Sequence, residues 1–333
     1  MRFMLSVIAI FDHEIGRYTM KLNQLRNLTV IVEAGTVRQA AKLLNISQSS
    51  VTKSIQQLEQ SLGVELLRRS THGVTPTEAG RALVFRAQTI DAELRHARND
   101  IEAIRGATLG EIRVSASPTV MMGLLPRAVV AFQRSRPRVS FQIEEGVYPD
   151  VLSAVRSGTI DFAICLVPGR PHDETLNFES LIEDRVVPAV RADHRLIGVR
   201  KLGLAHLRNA DWVIYGRGRT GLDVFEQTFR ANGLEPPKST IACSSFACAL
   251  ALVENGDYVT LVPSQVFVGN RKSLSIEPLL MDSEMSPWQI AVISRARYEL
   301  SAVCLAFLTE LRRTATKIRL PRIAGRQGAL KRA

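Results

Sequence analysis

The chain has 333 residues, which is enough for about two domains of about 150 residues each. Hydrophobic residues make up 46% of the chain and charged residues 23%, and this balance excludes an intrinsically disordered or fibrous protein. The net charge of +11 is concentrated in two segments, because residues 21–76 carry seven basic and three acidic side chains and residues 312–333 carry eight basic and none acidic. A basic end on a nearly neutral body favours a nucleic-acid-binding region joined to a second domain.

Residues 1–20 differ from the rest of the chain. The apolar run from Phe3 to Phe11 has the length of a signal-peptide core, but charged and polar residues follow it in place of a small-residue cleavage site. The run is also too short to span a bilayer, so we expect no association with a membrane. Since Met20 directly precedes a regular helical pattern, we expect residues 1–20 to be a misassigned start or a disordered extension. The four cysteines form no CxxC pair, which fits a reduced cytoplasmic compartment.

Three short helices are predicted near the start of the chain. Apolar residues recur at helical spacing over 21–34, and Gly35 is positioned to end that helix. Thr36 is positioned to cap a second helix over 37–44. A three-residue turn then leads into a third helix over 48–62. Two helices joined by so short a turn are typical of a helix-turn-helix.

The exposed face of the predicted third helix carries short hydroxyl and amide groups and a single formal charge. A face selected only for solubility shows Glu/Lys pairs four residues apart. Hydroxyl and amide groups, in contrast, are the groups that meet base edges and phosphates in the major groove. With basic and hydroxyl side chains from the neighbouring elements, the predicted DNA-binding residues are Arg38, Gln48, Ser49, Ser50, Thr52, Lys53, Arg68, Arg69 and Thr71. An ordinary polar helix face is the alternative.

A β-hairpin and a long helix are predicted next. The run 64–77 has an apolar strand, a turn that contains glycine and a short returning strand. Thr77 is positioned to cap a helix over 78–106, whose apolar residues recur every three or four positions: Leu83, Val84, Ala87, Ile90, Leu94, Ala97 and Ile101. Such a stripe on a helix of balanced charge predicts contact between the helices of two copies of the chain.

Strands and helices alternate in the C-terminal part of the chain, after a segment with two glycines, Gly106 and Gly110, that marks a hinge. This alternation predicts parallel sheets with crossover helices. We expect two α/β lobes joined by two crossing segments, with these bounds: lobe I 110–185 and 290–312, lobe II 186–289, crossings 186–190 and 289–293. Two such lobes form a cleft between them, where a small molecule can bind.

Ligands of open α/β sheets lie at the carboxyl ends of the strands, beside helix N-termini. In this sequence, that rule selects hydroxyl residues, an arginine and aromatic residues from both lobes. The predicted effector-binding residues are Ser115, Ser117, Thr119, Gly146, Tyr148, Val167, Arg217, Thr220, Ser245 and Phe246. Hydroxyl groups with an arginine and an aromatic side chain suit a small organic anion. For each serine and threonine, helix capping is the alternative role.

The run from Leu22 to Gly80 resembles the winged helix-turn-helix of the LysR-type transcriptional regulators. The residues that carry the resemblance are Ala40-Ala41, Ser47-Gln48, Thr52, Leu58-Glu59, Leu62-Gly63, Leu67, Arg69 and Thr77-Glu78-Ala79-Gly80. In this family, the equivalents of Gln48, Thr52, Lys53 and Arg69 contact DNA. Ser49 departs from the family pattern, which has proline at the first turn of that helix.

The resemblance extends to about residue 315 and implies a C-terminal effector domain that looks like a periplasmic binding protein. The chain is then an α + α/β protein with four segments after residue 20: winged helix-turn-helix 21–77, linker and dimerisation helix 78–106, two-lobed effector domain 107–315 and basic tail 316–333. The segments Ser117–Thr119 and Ser244–Phe246 look most like those of regulators of aromatic sulfonate degradation or sugar uptake.

The predicted function is therefore a sequence-specific DNA-binding transcriptional regulator that is controlled by a small-molecule effector bound between the lobes. The resemblance implies that its partners are double-stranded DNA, the effector and further copies of the chain in a homodimer or homotetramer. A small-solute-binding module or an enzyme of the same two-lobed fold is the alternative. A solute-binding module would leave residues 1–105 unexplained, and the sequence lacks the nucleophile–base pair that an enzyme needs.

Two further patterns indicate alternative chemistry. The run Gly216–Gly221 matches GxGxxG, but no acidic residue ends the strand that follows, so a flexible cleft-lining turn is the favoured interpretation. Cys243 and Cys248 are five residues apart and form a candidate redox pair. The histidines are scattered, without HExxH or zinc spacing, and the sequence contains no GxSxG. We therefore expect no catalytic residue, no metal and no cofactor.

Overall fold

The structure is a computed structural model that describes residues 20–71, 73–104, 110–169, 171–199, 201–216, 220–238, 241–267, 275–282 and 287–318. The predictions for residues 1–19, for most of the basic tail and for the hinge segment 106–109 lie outside the described residues. The chain divides into two compact units: Met1–Arg95 with Ser157–Thr159, and His96–Arg156 with Ile160–Ala333. No helix among the described residues is long and apolar enough to cross a membrane.

The N-terminal unit begins with the predicted helices α1 (Leu22–Ala34), α2 (Val37–Leu44) and α3 (Gln48–Leu62). The ends of these helices are set by residues next to them in the sequence. Gly35 ends α1 in the left-handed region at φ 69°. Thr36 Oγ1 then accepts a hydrogen bond of 3.2 Å from the backbone N–H of Gln39, which caps α2. The helices meet in an aliphatic core: Leu28, Ile31, Val37, Ala40, Ala41, Val51, Ile55, Leu58, Leu66 and Val84.

The antiparallel hairpin consists of β1 (Leu67–Ser70) and β2 (Gly73–Pro76) and forms the wing. Its strands are shorter than the predicted span of 64–77. The wing is held to the helices by backbone contacts, since Val74 N–H donates to the Gly35 carbonyl oxygen at 2.8 Å. A Cβ atom on Gly73 would lie 2.6 Å from that same oxygen, and Gly73 has φ +124°. Only glycine fits this position without displacing the wing.

The long helix α4 (Glu78–Ile104) follows the wing, and its predicted apolar stripe divides into two parts. At its start, Val84 packs into the core of the N-terminal unit. Farther along, Ile90, Leu94 and Ile101 are 39%, 43% and 52% exposed. The described residues of this chain therefore leave the later part of the stripe uncovered.

The C-terminal unit contains two α/β lobes. Its strands and α-helices are β3 (Gly110–Ala116), α5 (Pro118–Met122), α6 (Leu124–Ser135), β4 (Val139–Glu145), α7 (Leu152–Ser157), β5 (Phe162–Pro168), β6 (Leu176–Arg191), β7 (Asp211–Tyr215), α8 (Thr220–Arg230), β8 (Ile241–Cys243), α9 (Phe246–Asn255), β9 (Tyr258–Pro263), β10 (Ile276–Pro278), β11 (Pro287–Arg295) and α10 (Ala302–Ala315). Short 3₁₀ helices cover Leu204–Leu207 and Ser264–Phe267. Gly123 separates α5 from α6.

The sheet of lobe I has the order β4-β3-β5-β11-β6, and that of lobe II continues as β6-β9-β7-β8, with β10 paired to β6. Strand β6 belongs to both lobes, because it pairs with β11 up to Arg185 and with β9 from Val186 onwards. The predicted first crossing therefore lies where β6 changes partners.

The second predicted crossing, residues 289–293, is instead an internal part of lobe I. There β11 pairs with β5 on one side and with β6 on the other, and its pairing with β6 begins at Pro287. Lobe I thus resumes a few residues earlier than the sequence suggested. Residues 289–293 therefore belong to the sheet of lobe I and do not form a crossing segment.

Each lobe has its own aromatic centre. In lobe I, Phe307 of α10 packs against Phe132 with ring centroids 5.4 Å apart and against Phe162 at 6.1 Å. In lobe II, the buried ring of Trp212 packs against Phe225 at 5.0 Å. Separate cores allow each lobe to stay intact while the angle between the lobes changes.

The last turns of α4 pack on lobe I within the C-terminal unit. His96 Nε2 lies 2.8 Å from Asp161 Oδ1, and both side chains are buried. The Asn99 side chain makes two hydrogen bonds to the backbone of Glu111 in β3. Its Nδ2 donates to the Glu111 carbonyl oxygen at 3.0 Å, and its Oδ1 accepts from the Glu111 N–H at 3.2 Å. The end of the linker helix is therefore structurally part of the C-terminal unit.

Candidate DNA-binding face and effector cleft

The predicted DNA-binding residues all lie in the N-terminal unit. On α3, Val51 and Ile55 turn into the core. The first two turns present Gln48, Ser49, Ser50 and Lys53 to solvent, and Thr52 is half-buried. Arg38 of α2 and Arg68, Arg69 and Thr71 of the wing are exposed as well. Adjacent residues of a strand point to opposite faces, so the guanidinium groups of Arg68 and Arg69 leave the wing on opposite sides.

The first turn of α3 is organised by a serine cluster. Ser47 Oγ accepts from the Ser50 backbone N–H at 3.1 Å and lies 2.9 Å from Ser49 Oγ and 2.8 Å from Ser50 Oγ. Ser49 and Ser50 thus contact the capping residue Ser47 and are exposed at the same time. Cap residues hold the helix start in one conformation, and a phosphate oxygen is favoured at such a helix N-terminus.

A cavity of about 630 Å³ lies between the lobes of the C-terminal unit. This volume is within the usual range for small-molecule sites. Both lobes contribute to its lining, which consists of Ser117, Pro118, Thr119, Val147, Tyr148, Pro149, Asp150, Leu166, Pro168, Val186, Val213, Ile214, Tyr215, Gly216, Asp223, Val224, Phe225, Gln227, Phe246, Leu261, Pro263 and Trp288. We refer to this cavity as the cleft.

Four of the predicted effector residues line the cleft: Ser117, Thr119, Tyr148 and Phe246. The strand-end rule therefore identified walls in both lobes. The Oγ of Ser117 is buried and has no hydrogen-bond partner among the described residues. Thr119 Oγ1 accepts a 3.1 Å hydrogen bond from Gln265 Nε2, so its hydroxyl is already engaged.

Other predicted effector residues lie elsewhere. Ser115 and Val167 are buried within lobe I, and Leu166 and Pro168 line the cleft instead, since strand side chains alternate between faces. Gly146 lies against Ser115 and is not part of the lining. Exposed Ser245 caps α9 by accepting from Cys248 N–H at 3.3 Å, which matches the capping alternative.

Arg217 and the side chain of Thr220 lie outside the described residues. Gly216, at the start of the GxGxxG run, lines the cleft as the favoured interpretation of that run predicts.

The sequence-based prediction of effector residues did not include five aromatic and acidic residues that line the cleft: Asp150, Tyr215, Asp223, Phe225 and Trp288. Tyr215 ends β7, so the same strand-end rule could have selected it. Asp223 and Phe225 lie within α8, and Trp288 lies within β11, where no strand-end or capping signal marks a residue. Their position in the cleft follows from the packing of α8 and β11 against distant strands.

A buried carboxylate connects β6 to the turn that follows β9. Asp184 of β6 is 2% exposed, and its Oδ1 accepts from Ser264 Oγ at 2.5 Å and from Ser264 N–H at 3.1 Å. Burial raises the pKa of the Asp184 carboxyl, although these hydrogen bonds oppose that rise. The network holds the turn that carries Gln265 toward Thr119, and so connects lobe II to a cleft residue of lobe I.

Two of the cysteine thiols, those of Cys165 and Cys248, have a raised pKa. Burial raises the pKa of the Cys165 thiol to about 12, which keeps it protonated at neutral pH. The pKa of the Cys248 thiol is also raised, because Cys243 lies beside it. The hydrogen bond between the two side chains places them next to each other, and their role as a redox pair stays a prediction. The described residues contain no group of three or more side chains placed to bind a metal ion.

Two family models match the chain. Residues 22–81 match the bacterial regulatory helix-turn-helix protein, lysR family, and residues 105–316 match the LysR substrate binding domain. The chain belongs to the LysR family of bacterial regulators. The two matched segments coincide with the N-terminal helices and wing and with the two-lobed unit.

Relatives and solved structures agree with this assignment. The chain is 27% identical over 310 residues to the HTH-type transcriptional regulator GbpR of Azospirillum brasilense, covering 88% of this chain and 89% of that protein. It is 24% identical over 302 residues to GalR of Pseudomonas putida, covering 90% and 75% of the two chains. The crystal structure of CbnR, a LysR family transcriptional regulator, has a TM-score of 0.66 at 25% identity and covers 89% of this chain and 99% of CbnR.

Full-length CbnR complexed with its target DNA is similar too, with a TM-score of 0.65 at 25% identity over 89% of this chain and 100% of CbnR. The LysR-family protein described here is accordingly a DNA-binding transcriptional regulator with a C-terminal effector-binding domain. The homodimer or homotetramer stays a prediction. The predictions of family, fold class and general function are confirmed. The relation to regulators of sulfonate degradation or sugar uptake stays a prediction.

Proposed function

We propose that an effector binds in the cleft and changes the angle between the lobes. This change in angle alters the affinity of the regulator for its operator DNA. The observation that carries the proposal is the cleft itself, which draws its walls from two lobes with separate cores. A ligand that contacts both lobes binds one interlobe angle better than another, and only such differential binding shifts a conformational equilibrium.

We also propose that the predicted residues of α2, α3 and the wing make the DNA contacts. Their exposure on one small unit supports this assignment, as does the amide of Gln48 at the first turn of α3. Glutamine can bind an adenine with two hydrogen bonds, and a pair of this kind contributes about 1–3 kcal/mol of discrimination. The proposal includes action in the cytoplasm, where the DNA is, and no catalytic activity of the chain itself.

The test is footprinting and mobility shift on the DNA upstream of the protein's own gene. We expect protection of symmetric half-sites, and we expect Gln48→Ala to weaken binding about tenfold or more. Gln60→Ala is the matched control, because this exposed glutamine lies near the other end of α3, about 18 Å away at 1.5 Å per residue. Equal losses in both variants, or protection by neither the wild type nor the control, would contradict the assignment.

A further inference from the structure

We propose that Gln265 is a positioning residue of the effector domain, and that its hydrogen bond to Thr119 holds the two lobes at the angle found in this structure. The inference rests on the proposed function, because it names the contact that sets the interlobe angle. Gln265 belongs to lobe II and Thr119 to lobe I, and the two residues lie 146 positions apart in the chain. We refer to this hydrogen bond as the interlobe bond.

The interlobe bond is buried at both ends. Gln265 Nε2 donates to Thr119 Oγ1 at 3.1 Å, and each residue is 6% exposed. A buried amide or hydroxyl that loses its partner has no water to replace it, so breaking this bond is more unfavourable than breaking the same bond at the surface. A rotation of lobe II that separates the two atoms beyond about 3.5 Å removes the bond. The bond therefore favours the present interlobe angle.

Gln265 is fixed to the core of lobe II by its neighbours. It lies in the short 3₁₀ helix that follows β9, where Val266 and Phe267 are buried in that core. The same core contains Phe246, which lines the cleft. Because packed side chains of one core move together, Gln265 moves with the lobe II wall of the cleft. A displacement of that wall relative to lobe I therefore acts directly on the interlobe bond.

Asp184 orients the backbone that carries Gln265. It lies in the part of β6 that pairs with β11, two residues before Val186, where β6 begins to pair with β9. Its carboxylate accepts hydrogen bonds from the Ser264 N–H at 3.1 Å and from the Gln265 N–H at 3.4 Å. The backbone at Gln265 is thus held at the place where the two sheets meet, and this leaves the side chain directed toward Thr119.

Thr119 is the end of the interlobe bond that a ligand can reach. Thr119 lines the cleft, whereas Gln265 lies behind the lining. The Thr119 oxygen accepts from Gln265, and the hydroxyl can still donate its proton to an acceptor on a ligand. A ligand that requires another interlobe angle must break the interlobe bond, and a ligand that fits the present angle keeps it. From the usual net strength of a neutral hydrogen bond, we expect the bond to bias the equilibrium between the two angles by about twofold to tenfold.

The test is amide hydrogen exchange of the full chain without effector. Gln265→Met and Thr119→Val each remove one partner of the interlobe bond and keep a side chain of similar shape. We expect exchange to become about twofold to tenfold faster in the opposite lobe: in residues 117–123 for Gln265→Met, and in residues 264–267 for Thr119→Val. Backbone N–H groups in both segments are hydrogen-bonded, so their exchange reports local opening.

Further variants separate loss of the interlobe bond from a general loss of stability. The double variant, with Gln265→Met and Thr119→Val together, is expected to change exchange no more than either single variant, because the same bond is lost once. Thr119→Ser keeps the hydroxyl, and its exchange is expected to stay within about twofold of the wild type. Gln133→Met and Thr228→Val are the matched controls, since these side chains bond within their own lobes at 3.3 and 2.8 Å. If Gln265→Met does not fold, the comparison of Thr119→Val with Thr119→Ser decides the test.

Faster exchange that is confined to the substituted lobe, or that adds up in the double variant, would overturn the proposal. Footprinting of the same preparations separates this failure from failure of the proposed function. Where the wild type protects symmetric half-sites, we expect Gln265→Met and Thr119→Val to change the operator affinity without effector in the same direction, by about twofold to tenfold. Unchanged affinity would refute the positioning role of Gln265 and leave the regulator intact. Absence of protection by the wild type would refute the regulator, and the exchange data would then decide alone whether the interlobe bond holds the lobes together.

Discussion

Removal of the Asn99 amide is expected to detach the end of the linker helix from lobe I without weakening the N-terminal unit. Asn99 is 7% exposed and makes two hydrogen bonds to the backbone of Glu111, at 3.0 and 3.2 Å. In Asn99→Ala both are lost, and the backbone groups of β3 lose their partner. At about 1 kcal/mol for each hydrogen bond, local stability falls by roughly 2 kcal/mol.

Amide hydrogen exchange of the full chain measures this change directly. A loss of about 2 kcal/mol corresponds to roughly thirtyfold faster exchange through local opening, at about 1.4 kcal/mol for each factor of ten. We expect the increase in peptides that cover the end of α4 and the start of β3. Asn99→Asp keeps the acceptor and loses the donor, so about half the effect is expected. Asn255→Ala is the control, because that exposed amide makes a single bond of 2.9 Å within its own helix.

The functional consequence is a loss of coupling. DNA affinity of Asn99→Ala without effector is expected to stay within about twofold of the wild type, since Asn99 lies outside the DNA-binding residues. The effector-dependent shift of the footprint is expected to shrink, because the connection between linker helix and lobe I carries it. Exchange that rises less than threefold, or rises equally throughout the chain, would refute this account of Asn99.

Two other predictions concern assembly and acid stability. Leu94→Glu places a charge in the apolar stripe of α4, where Leu94 is 43% exposed, and is expected to dissociate the predicted oligomer in sedimentation velocity. Glu93→Gln, which changes the exposed neighbouring residue, is the control. An oligomer that stays intact in Leu94→Glu would show that the stripe is not the contact between copies. Hydrogen bonds from Thr175 and Arg156 lower the pKa of Asp173 to about 2. Because this pKa lies below the unfolded value of about 3.9, the stabilisation by Asp173 is present above that value and is lost as the pH falls toward 2. Asp173→Asn should therefore melt at a lower temperature than the wild type at pH 5, with the difference narrowing at pH 2.5; a constant difference would show that the carboxylate charge does not matter.

Much of the N-terminal unit could be predicted from the sequence, because its signals are local. The bounds of α3 follow from Ser47, which caps its first turn, and Gly63, which ends it at φ 66°. The core positions Val51, Ile55 and Leu58 follow from helical periodicity alone. The remaining positions of α3 form its exposed face, which includes the predicted DNA contacts of this helix.

The lining of the cleft could be predicted only in part, because it depends on contacts between distant parts of the chain. Its residues from strand ends, such as Ser117 and Phe246, were predictable because a strand end is visible in the sequence. Val167 ends a strand too, yet its side chain is buried, because the pairing of β5 with β11 decides which face each residue occupies. Trp288 enters the cleft through the same ladder.

The sequence by itself determined the family, the order of the domains and the helices of the DNA-binding unit, since caps, periodicity and turn residues act within a few positions. The tertiary structure decided where β6 changes partners, which part of the α4 stripe stays exposed and which charges line the cleft. Those features depend on pairing and packing between residues more than a hundred positions apart, such as Asp184 beside Trp288. No local pattern records that proximity, because it exists only once the sheets of both lobes have formed.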